Sequence, residues 1–238
     1  MQHATVKSYF WKGARAGAPF VFMAAPFGML FGVLATEAGF NLVETMTFSI
    51  SVFAGAAQFT ALHLMQEQAP TVIVLTSALA VNLRVAMYSA SLTPYLGGAP
   101  LWQRACAAYL VVDQSFALSI AQYESDMQMS VSQRLAYFFG TCTLMAPAWY
   151  VATLVGALVG TQIPDYLALD FVFPIAFLGI IAPMLRTLPH VIAAVTASVV
   201  ALLAGGVPFN LGLIVAGVCG MMAGAQAEVV LAPAKAVK

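Results

Sequence analysis

The sequence predicts an all-α integral membrane protein, a polytopic bundle of about eight transmembrane helices. Of 238 residues, 62% are hydrophobic and only 8% are charged, and the mean hydropathy is +0.91. A soluble domain carries ~25% charged residues, so this chain has too few charges to cover the surface of a soluble fold. Its apolar residues form long runs, which is typical of neither a transmembrane β-barrel nor a disordered chain. The bilayer is therefore the expected solvent.

Eight apolar runs, bounded by polar residues or by Pro and Gly, predict the transmembrane helices, each of which needs ~20 residues. They are residues 17–37, 44–65, 71–91, 104–123, 134–160, 170–186, 190–205 and 209–226. Because the gap near Leu188 is short, seven helices are the alternative. We expect one transmembrane domain over 17–226, between an N-terminal tail (1–16) and a C-terminal tail (227–238).

The basic residues predict the orientation, because cytoplasmic loops of membrane proteins are enriched in Lys and Arg. With the N-terminus inside, seven of the nine basic residues fall on the cytoplasmic side: Lys7, Lys12, Arg15, Arg134, Arg186, Lys235 and Lys238. Arg104 falls outside and Arg84 lies within a helix. Both tails are therefore expected to be cytoplasmic. Nine basic residues balance nine acidic ones, so the net charge indicates no nucleic-acid partner.

Three prolines inside apolar runs are candidates for broken helices. Pro26, with Gly28 and Gly32 close behind it, lies in the first run, while Pro147 and Pro174 lie in the fifth and sixth. Proline removes a backbone hydrogen bond and can kink or break a helix, and secondary transporters place broken helices at their binding sites. A simple packing kink is the equal alternative at each proline.

A short internal sequence similarity, which we call the internal echo, is compatible with an inverted repeat. Residues 20–28 and 171–179 are identical at five of nine positions. In the predicted topology the two segments run in opposite directions, as inverted repeats of transporters do. Chance similarity is the alternative in a chain so rich in Phe and Ala.

Arg84 and Asp113 are the clearest charges inside predicted helices, and such charges are costly in the bilayer and often functional. At ~1.5 Å per residue, Arg84 lies ~20 Å from the inner end of the third helix and Asp113 ~14 Å from the outer end of the fourth. In a ~30 Å core, their depths then differ by only ~5 Å. We expect them to pair or to share a polar cavity. A structural ion pair that fixes helix register is the alternative.

Gln58 and Asn82 are further candidates for a substrate or ion pathway. Gln58 follows the small residues Gly55, Ala56 and Ala57, which permit close helix approach. Its amide is suited to bonding either a substrate or neighbouring backbone, and Asn82, close to Arg84 in the sequence, carries the same two alternatives.

The motifs of enzymes and of metal sites do not occur in the sequence. It contains no G-x-S-x-G, H-E-x-x-H, P-loop or G-x-G-x-x-G pattern, so we expect no enzymatic activity and no ATP hydrolysis. Its three cysteines, Cys106, Cys142 and Cys219, are far apart and indicate packing rather than a metal site. No cofactor is expected.

Five blocks of the sequence form a recognisable set. They are Pro26-Phe-Gly-Met-Leu-Phe-Gly32, Phe53-Ala-Gly-Ala-Ala-Gln-Phe-Thr-Ala-Leu62, Asn82-Leu-Arg-Val-Ala-Met-Tyr-Ser-Ala-Ser-Leu-Thr-Pro-Tyr-Leu96, Asp113-Gln-Ser-Phe-Ala-Leu118 and Leu169-Asp-Phe-Val-Phe-Pro-Ile-Ala-Phe-Leu178. In this order the blocks resemble the AzlC family, the large subunits of bacterial branched-chain amino acid exporters. The resemblance covers about residues 17–225. It departs from the family at Val85, where His is common, and at Gln114, where an acidic residue is common.

The resemblance implies export of valine, leucine, isoleucine and also methionine across the bacterial inner membrane, driven by the proton motive force. It also implies a small hydrophobic partner subunit of the AzlD type. Both departures remove titratable groups beside the predicted charge pair, so the coupling ion and the exact substrate stay open.

The residues suit the binding of a zwitterion, with Arg84 for its carboxylate and Asp113, with Gln58 or freed carbonyls, for its ammonium group. Two other classes of function stay open: a non-transporting scaffold or assembly subunit, and a channel-like pore. A pore with so few charges would require a higher oligomer.

Overall fold

The computed structural model describes residues 5–160, 185–206 and 211–231. Within these ranges every regular element is a helix, so the predicted all-α class is confirmed there. The helices are α1 (Val6–Gly17), α2 (Val21–Glu37), α3 (Leu42–Ser51), α4 (Gly55–Gln66), α5 (Thr71–Leu96), α6 (Leu101–Leu110), α7 (Asp113–Ser125), α8 (Val131–Gly160), α9 (Leu188–Leu203) and α10 (Leu211–Leu231). A 3-10 turn, Ala18–Phe20, joins α1 to α2.

Within the described ranges, three helical segments are long and apolar enough to cross a membrane: Val6–Glu37, Thr71–Leu96 and Val131–Gly160. Shorter apolar helices occupy Leu188–Leu203 and Val215–Leu231. Most of the predicted sixth run, including Pro174 and the second copy of the internal echo, lies outside the described residues, as do residues 1–4 and 232–238.

The chain divides into two compact units. The first contains the described parts of Met1–Leu62 and Ala78–Ala168, and the second those of His63–Ser77 and Leu169–Lys238. In the second unit α9 and α10 pack so closely that a Cβ on Gly220 would lie 2.8 Å from the carbonyl oxygen of Ala193. The candidate residues Gln58, Arg84 and Asp113 all belong to the first unit.

In the first unit, α1 and α2 run along α8. Cβ atoms built on Gly13 and Gly28 would meet the carbonyl oxygens of Tyr137 and Trp149 at under 3.0 Å. Because residue numbers rise together on both sides, the two segments are parallel. The residues expected to form an N-terminal tail are thus largely helical, with Ala14 buried.

Neither Pro26 nor Pro147 breaks its helix. Helix α2 continues through Pro26 and α8 through Pro147, so at these two residues the structure favours the packing alternative over a broken helix. Each proline removes a single backbone bond, and the close packing of α2 on α8 on either side holds the helical path. Gly28 and Gly32 are contact points of that packing, where a side chain would strike the backbone of α8.

The helix breaks fall in the second and fourth predicted runs instead. Residues 52–54 separate α3 from α4, and residues 111–112 separate α6 from α7. No proline is present at either break. Asp113 therefore begins a helix, whereas the sequence analysis placed it inside one.

Helices α6 and α7 form a hairpin, so residues 104–123 do not cross the unit as a single span. The ring of Tyr95, at the end of α5, lies 5.3 Å from that of Tyr123, near the end of α7. The guanidinium of Arg134, near the start of α8, lies 5.3 Å from the Tyr95 ring. Because only residues 97–100 join α5 to α6, the hairpin enters and leaves at the same end of the unit.

This arrangement corrects the predicted position of Arg104. The hydroxyl of Tyr9 donates to Asp126, after the end of α7, at 2.6 Å, so α1 begins at this same end. Lys7, Arg104 and Arg134 therefore share what we call the basic end of the first unit. The sequence analysis placed Arg104 on the outer side, against the positive-inside rule. In the structure Arg104 lies at the same end as Lys7 and Arg134, as that rule expects.

Candidate functional site

The predicted pairing of Arg84 with Asp113 is confirmed. Arg84 lies on α5, and Asp113 is the first residue of α7, at the tip of the α6–α7 hairpin. Arg84 Nη2 and Asp113 Oδ2 are 3.1 Å apart. The position suits a carboxylate, because the N-terminus of a helix carries partial positive charge.

The hairpin tip lies deep in the unit. Helix α6 has 10 residues, which gives ~15 Å from its start to the tip, about half of a ~30 Å hydrocarbon core. A hairpin that starts at the membrane surface therefore brings Asp113 to mid-membrane depth. The depth predicted from sequence was similar, although the path of the chain to it is different.

Tyr88 completes the contacts of the Asp113 carboxylate. It lies one turn after Arg84, and its hydroxyl donates to Asp113 Oδ1 at 2.7 Å. Its ring stacks on Phe116 of α7, with centroids 4.3 Å apart and planes 12° apart. Both carboxylate oxygens are thus engaged beside an aromatic wall.

The Arg84–Asp113 pair leaves polar groups free to bind a ligand. The side chains of Arg84 and Asp113 are 30% and 38% exposed, whereas Arg84 Nε is buried and has no hydrogen-bond partner within the described parts of the chain. A guanidinium has five N–H donors, so its terminal Nη groups keep donors for a carboxylate ligand that Asp113 does not use. Exposed charge at this depth needs water, a ligand or protein beside it, because hydrocarbon does not solvate it.

Gln58 hydrogen-bonds to the backbone at the break between α3 and α4. It is fully buried, and its Nε2 donates to the carbonyl oxygens of Ser49, at 3.3 Å, and Val52. These carbonyls lost their helical partners at the break. The structure thus favours the backbone-binding alternative for the amide nitrogen, while Oε1 is buried without a partner among the residues described.

Helix α8 supports the same break through Ser49. The indole N–H of Trp149 donates to Ser49 Oγ at 3.1 Å, and Thr153 Oγ1 lies 3.3 Å from that oxygen. Ser49 and Thr153 are completely buried. The α3–α4 break is therefore fixed to α8 by buried hydrogen bonds.

The α6–α7 break is also satisfied by side chains. Ser115 Oγ accepts from the backbone N–H of Val112 at 2.9 Å, and the Cys142 thiol donates to the carbonyl oxygen of Leu110 at 3.6 Å. Cys142 belongs to α8. Both breaks are thus supported by the same helix.

Three aromatic residues join the two breaks. Phe53 lies in the α3–α4 break, with ring centroids 5.9 Å from Tyr109 of α6 and 5.5 Å from Tyr150 of α8. The hydroxyl of Tyr109 donates to the carbonyl oxygen of Ile50 at 2.6 Å and lies 2.6 Å from that of Tyr150. The candidate site thus comprises two adjacent helix breaks with Arg84 beside one of them.

Asn82 is half-buried on α5, two residues before Arg84, and its role in a pathway stays a prediction. The sequence analysis missed the α6–α7 break and the contacts of Tyr88, Ser115 and Tyr109. One signal for the break was available, because Asp113 and Ser115 are residue types that favour the start of a helix.

Comparison with known proteins settles the family. The family described as AzlC protein matches residues 19–163, more than half of the chain. The chain belongs to the AzlC family. The matched region contains both helix breaks and the residues Gln58, Arg84 and Asp113, so the AzlC resemblance seen in the sequence is confirmed where the site lies.

Relatives of this AzlC chain are membrane proteins by name. An uncharacterized membrane protein of Archaeoglobus fulgidus is 33% identical over 84% of this chain and 87% of its own length. Inner membrane protein YgaZ of Escherichia coli K12 is 26% identical over 93% of this chain and 91% of its own length. An uncharacterized membrane protein of Helicobacter pylori is 29% identical over 63% of this chain and 64% of its own length. No solved structure matches the chain.

Proposed function

We propose that this AzlC-family chain is the large subunit of a secondary transporter that exports branched-chain amino acids. Its substrates are valine, leucine, isoleucine and also methionine, the proton motive force drives it, and a small AzlD-type subunit accompanies it. It lies in the bacterial inner membrane with both tails cytoplasmic, and it catalyses no reaction. The observation that carries the proposal is the exposed Arg84–Asp113 pair at the hairpin tip.

A zwitterionic substrate fits this pair by charge. Its carboxylate binds the unused donors of Arg84, and its ammonium group binds Asp113, so the substrate inserts between two charges that otherwise contact each other. The substrate has no net charge, so the net charge at mid-membrane depth is unchanged when it binds. This matters because an uncompensated charge there costs ~2.5–3.5 kcal/mol even on the milder insertion scale.

The surroundings of the pair suit an apolar side chain. The stacked rings of Tyr88 and Phe116 form a flat aromatic surface next to the carboxylate. Broken helices beside the pair are the device by which secondary transporters present helix ends to a substrate. Gln58 supports this geometry by holding the carbonyls of the other break.

The test is transport by the purified chain in liposomes, with and without the small subunit encoded beside it. Counterflow of a panel of amino acids is measured under imposed pH gradients, for the wild type, Arg84→Ala and the charge swap of Arg84→Asp with Asp113→Arg. Arg15→Ala, which removes an exposed arginine of α1, is the matched control. We expect saturable valine flux that depends on the pH gradient, lost in Arg84→Ala and in the swap and retained in the control.

Each other outcome favours a different function. Absence of flux for every amino acid, with and without the partner, would indicate a scaffold or assembly subunit. Flux that never saturates would indicate a pore. Full recovery of valine transport by the charge swap would show that the pair is structural and does not bind substrate.

A further inference from the structure

A cavity of about 150 Å³ lies between α5 and α6 in the first unit. Its floor is apolar and buried, formed by Leu92, Leu96, Ala107 and Val111. Arg104, an exposed residue of α6, also lines it. A cavity of ~150 Å³ with apolar walls is large enough for a benzene-sized group, and hence for one branched aliphatic side chain.

The cavity connects the basic end with the charge pair. Along α5 its lining runs from Leu96 to Ser89, which is ~10 Å of helix, and Tyr88 is the next residue toward the charge pair. Along α6 it runs from Arg104 to Val111, which lies at the hairpin tip two residues before Asp113. A molecule that occupies the cavity is therefore located between Arg104 and the contacts of Asp113.

The polar and apolar groups of the cavity suit a ligand that carries both an anionic group and an apolar group. Arg104 supplies a cation at the basic end, and Ser89 and Thr93 line the α5 side. The Thr93 hydroxyl already donates to the carbonyl oxygen of Ser89 at 3.0 Å, so Arg104 is the group that binds an anion. The apolar floor lies alongside. A carboxylate with an aliphatic side chain attached to the adjacent carbon matches this pattern, because its charge and its apolar group are a few ångströms apart.

We infer that the α5–α6 cavity is a loading site, in which a branched-chain α-amino acid binds with its carboxylate on Arg104 before it moves to the Arg84–Asp113 pair. The inference rests on the proposed function and adds a second substrate site to it. By the positive-inside rule the basic end faces the cytoplasm, which is the side from which an exported substrate must enter. An anionic phospholipid with one chain in the cavity is the competing occupant.

The test compares four variants of α6 with the wild type, each reconstituted with the small subunit. Ala108→Trp fills the cavity, since Ala108 is an exposed residue of its lining, and Arg104→Gln removes the cation. Ala105→Trp is the matched control, because Ala105 is an exposed alanine of the same helix outside the lining. Arg104→Lys tests rescue by charge alone.

Initial rates of labelled valine transport are measured over a range of concentrations from the side of the basic end, and labelled valine binding to each purified variant is measured in parallel. We expect Ala108→Trp and Arg104→Gln each to raise KM about tenfold or more with kcat changed less than twofold. Ala108→Trp occupies the space of the substrate side chain, and in Arg104→Gln one lost charge-assisted contact corresponds to about tenfold in affinity. Arg104→Lys is expected to recover most of the loss, and Ala105→Trp to behave as the wild type.

Failure of this inference is distinguishable from failure of the proposed function. If the wild type neither binds nor transports any amino acid, the proposed function fails, and the loading site fails with it. If the wild type transports valine and Ala108→Trp leaves KM unchanged, only the loading site is refuted. Loss of co-purified phospholipid from Ala108→Trp, seen by native mass spectrometry with KM unchanged, would assign the cavity to lipid and also overturn the inference.

Discussion

Neutralising one partner of the Arg84–Asp113 pair leaves the other charge without its counterion at the hairpin tip. A double-mutant cycle of Arg84→Gln and Asp113→Asn measures how strongly the two side chains are coupled. Each single variant leaves one unpaired charge, whereas the double variant leaves none. We therefore expect the double variant to lose less stability than the sum of the losses in the two single variants.

The size of the coupling follows from the 3.1 Å separation of Nη2 and Oδ2. Two unit charges at this distance attract by about 5 kcal/mol at an effective dielectric constant of ~20 and by about 1.3 kcal/mol in bulk water. Because the two side chains are 30% and 38% exposed, screening reduces the larger figure. We expect a coupling free energy of about 1–3 kcal/mol.

The assay is thermal unfolding of the purified variants in one detergent, followed by intrinsic fluorescence. For a chain of this length, 1 kcal/mol corresponds to roughly 2–4 °C in Tm, so each single variant should unfold several degrees below the wild type. The double variant should recover part of that loss. Arg15→Gln, the control at an exposed arginine of α1, should stay within about 0.5 kcal/mol of the wild type. Strict additivity of the two single effects would refute the reasoning.

Two further predictions test the fold. In a Cys106→Ser, Cys219→Ser background, where the remaining Cys142 is buried, cysteines placed one at a time by Gln103→Cys and Ser130→Cys should react with an impermeant thiol reagent from the same side of the membrane, because both positions lie at the ends of the α6–α7 hairpin at the basic end. Labelling from opposite sides would show that residues 101–125 cross the bilayer. Gly32→Val should cost about 1–3 kcal/mol or more through overpacking, since even its Cβ would strike the backbone of α8, whereas Gly98→Ala, whose Cβ would lie 3.5 Å from Val131 Cγ2, should be neutral. Thermal unfolding and the yield of monodisperse protein measure the second effect, and equal stability of the two glycine variants would contradict the packing argument.

The Arg84–Asp113 pair was predictable because the energetic cost of a charge in an apolar run can be assessed from each run separately. Two charges in apolar runs demand a counterion, and estimates of depth along the helices were enough to match Arg84 with Asp113. The third contact, from Tyr88, was not predictable in the same way. A tyrosine in a membrane helix is not costly enough to demand a partner, so only the packing of α7 against α5 shows that its hydroxyl reaches the carboxylate.

The helix breaks lie away from Pro26 and Pro147 because proline is only one cause of a break. Pro26 and Pro147 lie in helices that continue on both sides, whereas the breaks at 52–54 and 111–112 contain no proline. At these breaks the freed backbone groups find partners in Gln58, Ser115 and side chains of α8. Whether such partners exist depends on tertiary packing, which a single apolar run does not record.

The amino-acid sequence alone shows that the bilayer is the solvent, that the fold is helical, and that Arg84 and Asp113 require each other as counterions. These conclusions depend on the number and depth of charges among apolar residues, which are properties of the chain taken segment by segment. Only the tertiary structure decided that residues 101–125 turn back and bring Arg104 to the end that holds Lys7 and Arg134. The reason is physical: hydropathy measures how much apolar length a segment has, whereas its direction is set by the contacts of Tyr95, Tyr123 and α8 with the returning helix.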